Sequence, residues 1–297
     1  MYPAPIENYL APATVQEALK ALGAQAVGEA QFIAGGQSLM QAIKSRLISP
    51  RTLIDLQHVA ELKGISAEAG GVRIGAMTRY RTIAAEERLN GAYEALRDAA
   101  SHVGDRQVRN RGTIGGSLCW NYLAACMPPT CIGLGASVEL LDTKGEKRTL
   151  LAEEFLRGPL ETARKETEIL LAVVLPGAPP KSGSAYKKWG LVTDALPVVG
   201  VCAFVEIGDD GRCRRARLAV GGLATGPRRS KAGEEALAGA AAKDADAIAA
   251  AADRAAASTE VQADMWADAS YRKRLISALA REVVATAFAR AQARRPA

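Results

Sequence analysis

Apolar positions in this chain come in short runs broken by glycine, proline and polar residues, and their spacing switches between helical and extended periods. Thr14-Val15-Gln16-Glu17 has the form of a capping box and predicts a short helix to about Leu22. After a polar 23–30 loop, Phe32-Ile33-Ala34 reads as a strand running into Gly35-Gly36-Gln37-Ser38. A helix from about Leu39 to Arg46 should follow, its first N–H groups facing back toward the glycines. Leu53-Ile54-Asp55-Leu56 completes a small α/β unit over about 1–57 as a buried strand.

Val72-Arg73-Ile74-Gly75 alternates as a strand does, Thr78 is placed to cap the run Tyr80–Leu89, and a second helix is expected over about Ala92 to His102. Thr113-Ile114-Gly115-Gly116-Ser117 repeats the glycine-pair pattern of the first unit. Ser137–Asp142 and Arg148–Leu151 form a hairpin across Thr143-Lys144-Gly145, and Ile169–Leu175 is a strongly apolar strand ended by Pro176. These pieces make a second unit over about 58–177. The Gly/Pro/Ser stretch 177–184 reads as a linker. Beyond it, over 184–294, three strands (Ala185–Trp189, Val198–Ile207, Arg215–Gly221) form an antiparallel sheet backed on one face by helices. The helices are an alanine-rich pair within Ala232 to Ser258 and a final one from Tyr271 to Ala293. The fold class is α+β: a two-part domain over 1–177, then a separate three-stranded domain.

Composition narrows the function classes. With 297 residues, 48% hydrophobic and 24% charged, the chain is long enough for more than one core. No run of about eighteen apolar residues lacks a charge, so no membrane span is expected. The first residues have neither a basic start nor an apolar stretch, so no secretory signal is expected. Five irregularly spaced cysteines point to reduced thiols and a cytoplasmic setting. The net charge of +6 gathers at Arg106/Arg109/Arg111, Arg212/Arg214/Arg215/Arg217 and Arg228/Arg229. Aromatics are only 5% of the chain, too few for a base-stacking platform, so no nucleic-acid partner is expected.

The chemistry concentrates at the two glycine pairs. Successive N–H groups in such turns form an anion-binding concavity, and glycine lets a phosphate approach closely. Either pair alone also fits a plain tight turn, and neither matches the Rossmann or P-loop spacing. Two together point to one long, doubly charged ligand held at two places. With only His58 and His102, a Ser/His/Asp triad or a histidine-based zinc site has few ways to exist. Cys119, Cys126 and Cys131 raise an iron–sulfur question, but such clusters normally take four thiolates, and packing is the default role.

The words around the glycines carry more. Ala34-Gly35-Gly36-Gln37-Ser38-Leu39, Lys44-Ser45-Arg46-Leu47, Leu53-Ile54-Asp55-Leu56 and the stretch from Val103 to Leu118 resemble the FAD-binding region of the molybdenum hydroxylases. Within that family (the xanthine dehydrogenase and carbon monoxide dehydrogenase type) the chain resembles the separate flavin-carrying medium subunits along its whole length, including Ser270-Tyr271-Arg272-Lys273. The resemblance implies FAD bound between the two N-terminal units. It carries cofactor contact over to Ile33, Ala34, Gly35, Gly36, Gln37, Ser38 and Leu39, and to Thr113, Ile114, Gly115, Gly116 and Ser117. Ile169 and Leu170 fall in a third contact region, and Lys188 matches a lysine reaching in from the C-terminal domain, with Lys187 as competitor. His102 either caps its helix or touches the flavin. Cys126 stands in Leu123-Ala124-Ala125-Cys126-Met127-Pro128, where relatives carry an aspartate. The resemblance further implies a large molybdopterin subunit and a small subunit with two-iron two-sulfur clusters, assembled as a dimer of heterotrimers, this chain passing electrons to an external acceptor. The alternative is a flavin-free assembly or maturation protein on the same fold.

Overall fold

The computed structural model describes residues 5–68 and 70–293, so positions 1–4, part of the leader reading, lie outside the described residues. The chain begins with a three-stranded parallel sheet in the order Asn8–Leu10, Thr52–Asp55, Ala30–Ile33. Helices Val15–Gly23 and Leu39–Lys44 connect its strands. Thr14 caps the first as expected, its hydroxyl accepting from the Glu17 N–H at 3.1 Å. The strand Asn8–Leu10 was not legible: all three residues are exposed, and pairing with Thr52–Ile54 rather than apolar burial makes it.

The second unit is a five-stranded antiparallel sheet in the order Ile65–Glu68, Gly71–Gly75, Glu168–Pro176, Ser137–Asp142, Lys147–Leu151. Its middle strand, Glu168–Pro176, is buried on both faces, which is why it reads as a continuous apolar run. A register shift between Leu170 and Ala172 lets Leu170, Val173 and Leu175 share one core while Ile169 and Leu171 join another.

The connection between these strands departs most from expectation. Thr78 is not a cap: its hydroxyl donates to the Gly64 carbonyl, Arg79 takes the cap position, and the helix is Tyr80–Ala85. The 92–102 helix divides into a 3-10 turn, Gly91–Tyr93, and a helix, Glu94–Ser101. Three short helices follow, Arg106–Arg111, Ile114–Trp120 and Met127–Gly133, the last with prolines in its first turn. Each is too short to display a helical period.

The C-terminal sheet is antiparallel in the order Ser182–Trp189, Val199–Ile207, Cys213–Gly221, Arg228–Arg229. It has a fourth strand beyond the three expected, a two-residue strip too short to register in sequence. The first strand begins at Ser182, inside the expected linker. Along Val199–Ile207 the side chains divide between faces: Val201, Ala203 and Val205 meet the alanine-rich helix Ala245–Ser258 and the long helix Ala269–Ala293, while Cys202 and Phe204 join the N-terminal core. Close packing joins the two halves of the chain. A Cβ on Gly133 would lie 2.6 Å from Cys202 Sγ, and one on Gly221 would lie 2.7 Å from Pro129. Arg290 donates to Asp98 at 2.6 Å and to the Ser184 carbonyl at 2.7 Å. Among the described residues no helix is long and apolar enough to cross a membrane, and all five cysteines are free.

Candidate functional site

A cleft of about 440 Å³ opens where the three sheets meet. The first glycine segment, Ala34 to Leu39, forms part of its wall. Gly35 is pressed against the other glycine region, since a Cβ there would lie 2.2 Å from the Arg111 carbonyl oxygen. Gly36 has φ +73°, in the left-handed region that costs other residues dearly. The chain therefore turns with its N–H groups turned out of the regular structure. Among the described residues, nothing accepts a hydrogen bond from the N–H groups of Gly35, Gly36, Gln37, Ser38 or Leu39. Five successive free donors on a cleft wall form an anion cradle.

The second segment does not repeat this arrangement. Thr113 caps the helix Ile114–Trp120, its hydroxyl accepting from the Gly116 N–H at 3.2 Å. The Ile114 N–H donates to the Thr78 carbonyl and the Gly115 N–H to the Ala76 carbonyl, at 3.1 and 2.8 Å. The Ser117 N–H bonds the Thr113 carbonyl. The expected second cradle of free N–H groups is thus corrected: these donors are taken up within the protein. Thr113, Gly115, Gly116 and Ser117 still line the cleft, while the missing Cβ of Gly115 makes room for Ala76 and that of Gly116 for the Thr113 hydroxyl.

Cys126, Ile169, Leu170 and Lys188 line the cleft as well. Of the paired lysines it is Lys188 that reaches it, donating to the Ala195 carbonyl at 2.5 Å, whereas Lys187 pairs with Glu282. Three other expected contacts do not line it. Ile114 is fully buried in the main core, Ile33 packs against the small cluster around Ile43 and Leu53, and His102 is exposed at its helix end. There His102 Nδ1 meets the Asp98 carbonyl at 2.7 Å, the capping role.

Several lining residues carry no signal in the sequence. Leu56, Met77 and Tyr80 supply apolar surface, Trp120 and Tyr122 supply aromatic surface, and Arg164 adds a second cation. Arg164 is steadied by donation to the Glu168 carbonyl at 2.8 Å. Asp194, Ala195, Leu196 and Pro197 reach the cleft from the C-terminal half, on the loop after Trp189. That loop leaves Leu191, Val192 and Leu196 largely exposed, and the sequence shows only that apolar residues follow a candidate lysine.

Burial dominates the electrostatics. It pushes the Cys126 thiol above its ordinary range, against the weaker pull of the Tyr186 hydroxyl and the Lys188 ammonium. Burial also raises the Tyr80 phenol, and it pushes Cys131 up to about 12. The ionic side chains on the cleft wall, among the described residues, are Lys188, Arg164 and Asp194. A cradle of free N–H donors, an apolar floor and two cations fit a ligand with a flat apolar part and a phosphate part.

Fold and cleft together define a nucleotide-cofactor carrier in which a helix-backed sheet closes over an α+β body. Residues 4–178 match a family described as the FAD binding domain in molybdopterin dehydrogenase, and residues 184–287 match the CO dehydrogenase flavoprotein C-terminal domain. The carbon monoxide dehydrogenase medium chain of Hydrogenophaga pseudoflava is 33% identical over 95% of this chain and 97% of its own. The 6-hydroxypseudooxynicotine dehydrogenase complex subunit alpha of Paenarthrobacter nicotinovorans is 30% identical over 97% of this chain and 96% of its own. Among solved structures, the Hydrogenophaga carbon monoxide dehydrogenase lacking the Mo-pyranopterin moiety superimposes with a TM-score of 0.90 at 32% identity, covering 98% of this chain and 99% of that one. Quinoline 2-oxidoreductase from Pseudomonas putida 86 gives 0.89 at 29% identity, with the same coverage. The chain belongs to the FAD-binding medium-subunit family of the molybdopterin-dependent dehydrogenases, which are oxidoreductases.

Proposed function

We propose that this chain is the electron-transfer subunit of a heterotrimeric molybdenum hydroxylase, and that its FAD lies in the cleft described above. The observation that carries the reading is the run of free N–H donors from Gly35 to Leu39 on the cleft wall. In this reading they take the pyrophosphate, an anion they match in number and polarity. Thr113, Gly115, Gly116 and Ser117 form the wall beside the cofactor, while Leu170 and Ile169 give its ring an apolar neighbour. Lys188 and Arg164 set positive charge beside it, which favours the negative charge that arrives with electrons. Cys126, a neutral buried thiol, takes the place of the family's aspartate. FAD supplies a group that accepts electrons from one partner and releases them to another.

A small subunit with two-iron two-sulfur clusters delivers the electrons, a large molybdopterin subunit oxidises the substrate, and an external acceptor takes the electrons away. The assembly is a dimer of heterotrimers. A cytoplasmic setting agrees with five free cysteines. The domain division falls between residues 177 and 184. The open cradle favours the flavin carrier over the flavin-free alternative, which gives it no occupant.

Two measurements test the reading. The chain purified alone should carry the visible absorption of an oxidised flavin, which a flavin-free scaffold would lack. In stopped-flow experiments substrate should bleach that absorption only when both partner subunits are present. Rapid bleaching of the lone chain by an organic substrate would make it a self-sufficient flavoenzyme.

A further inference from the structure

The word Tyr271-Arg272 has no place in the cleft, yet its side chains meet both ends of the loop that closes it. That loop joins the strand Ser182–Trp189 to the strand Val199–Ile207, and Asp194 to Pro197 on it line the cleft. At its start, the Trp189 ring stands edge-on to Tyr271, with centroids 5.5 Å apart and planes at 86°. At its end, Arg272 Nη1 donates to the Val198 carbonyl at 2.5 Å. The Val198 N–H in turn donates to the Trp189 carbonyl at 2.8 Å, so the two stems are tied to each other.

The same Arg272 nitrogen donates to the Gly222 carbonyl at 3.0 Å. The Gly222 N–H donates across to the Leu123 carbonyl at 3.0 Å, and Leu123 is followed directly by Ala124, Ala125 and Cys126 of the opposite cleft wall. One buried guanidinium, 4% exposed, therefore fixes the loop of the C-terminal half and the segment that meets the N-terminal half. Its charge is balanced by Asp264 at 2.6 Å, and its Nε takes no partner among the described residues.

Burying a guanidinium with one donor unused is a costly way to stiffen a sheet, because an apolar residue of the same volume often serves stability as well or better. What the planar fork adds is position: three acceptors on three segments are held at fixed angles, which neither an apolar residue nor a lysine reproduces.

We propose that Arg272, seconded by Tyr271, is a positioning residue that holds the Gly190–Pro197 loop and the Leu123–Cys126 wall against the bound flavin and sets how slowly the flavin leaves. The proposal rests on FAD occupying the cleft. It is tested on the full chain by replacing Arg272 with Met and with Lys, and measuring FAD release on dilution, flavin emission and urea unfolding. Arg272→Met should release FAD about tenfold faster or more, as expected when two buried carbonyls lose their donor and the loop is freed. Its bound flavin should emit more strongly, and Arg272→Lys should fall between the Met variant and the native chain.

Arg290→Met is the control, because Arg290 joins the two halves through Glu94, Asp98 and the Ser184 carbonyl without touching the loop. If FAD release follows unfolding free energy alike in Arg272→Met and Arg290→Met, Arg272 is a structural tie only and the proposal fails. A folded Arg272→Met chain with native release and emission also overturns it. Should Arg272→Met not fold, Tyr271→Leu loosens the other stem with Arg272 in place, and a native release rate in that variant is equally decisive against it. A native chain that carries no FAD would instead overturn the functional reading.

Discussion

Gly115 and Ala76 are locked together twice, by an N–H to carbonyl bond of 2.8 Å and by backbones so close that a Cβ on Gly115 would lie 2.6 Å from the Ala76 Cβ. The glycine is there for the approach of helix to strand end. Gly115→Val should therefore act first on folding, with overpacking destabilising the chain by about 1–3 kcal/mol. Urea denaturation checks this: a midpoint equal to the native one, with flavin lost, would return Gly115 to a purely ligand-binding role.

Gly36 is the contrasting case. At φ +73°, with Met40 Cγ 3.3 Å from where a Cβ would stand, Gly36→Val should strain the turn by about 1–2 kcal/mol and swing the free N–H groups out of line. The expected result is a folded chain that loses FAD on gel filtration, and stoichiometric FAD in that variant would remove the cradle from the binding site.

Glu168 is buried beneath Arg148, whose Nε and Nη2 reach its two oxygens at 2.6 and 2.8 Å. Burial alone would raise its pKa, but the Arg148 guanidinium and the Lys165 N–H together outweigh it and hold the carboxyl below the ordinary value of 4.5. Because the folded-state pKa is depressed, the stabilisation is complete above that value and fades as the pH falls through the lower, folded-state one. Glu168→Gln should thus lower stability at neutral pH and flatten the acid limb of the stability curve. An unchanged acid limb, measured by denaturation between neutral and acid pH, would mean the pair contributes nothing to it.

Cys126 is a neutral thiol on the cleft wall, raised by burial. Alkylation by a maleimide should be slow at neutral pH, and slower still with FAD bound. Cys126→Asp should retain FAD. The isolated chain should contain no iron, and iron that disappears in Cys126→Ser would place a metal centre at this thiol.

The extent to which the sequence was legible follows from where each partner lies. Gly35-Gly36 could be placed because a glycine pair announces its chemistry locally, and Lys188 because the family resemblance points to it, with Lys187 excluded only by its pairing with Glu282. The purpose of Gly115 could not, since it is set by Ala76, just past the end of the strand Gly71–Gly75. His102 is settled by the Asp98 carbonyl one turn back, a bond that any helix-end histidine can make. The helices Arg106–Arg111 and Ile114–Trp120 leave no helical period in the sequence because neither runs two full turns. The 194–197 wall was hidden because only the antiparallel pairing of Ser182–Trp189 with Val199–Ile207 carries it to the cleft.

The seam between the halves has one further consequence. Cys202 against Gly133, Pro129 against Gly221 and Arg290 against Asp98 hold the C-terminal sheet to the N-terminal core beside the cleft it helps to close. Flavin exchange then falls to the 190–197 loop alone: finished apoprotein should take up FAD without unfolding, and Arg290→Met, which loosens the seam, should leave that uptake rate at its native value.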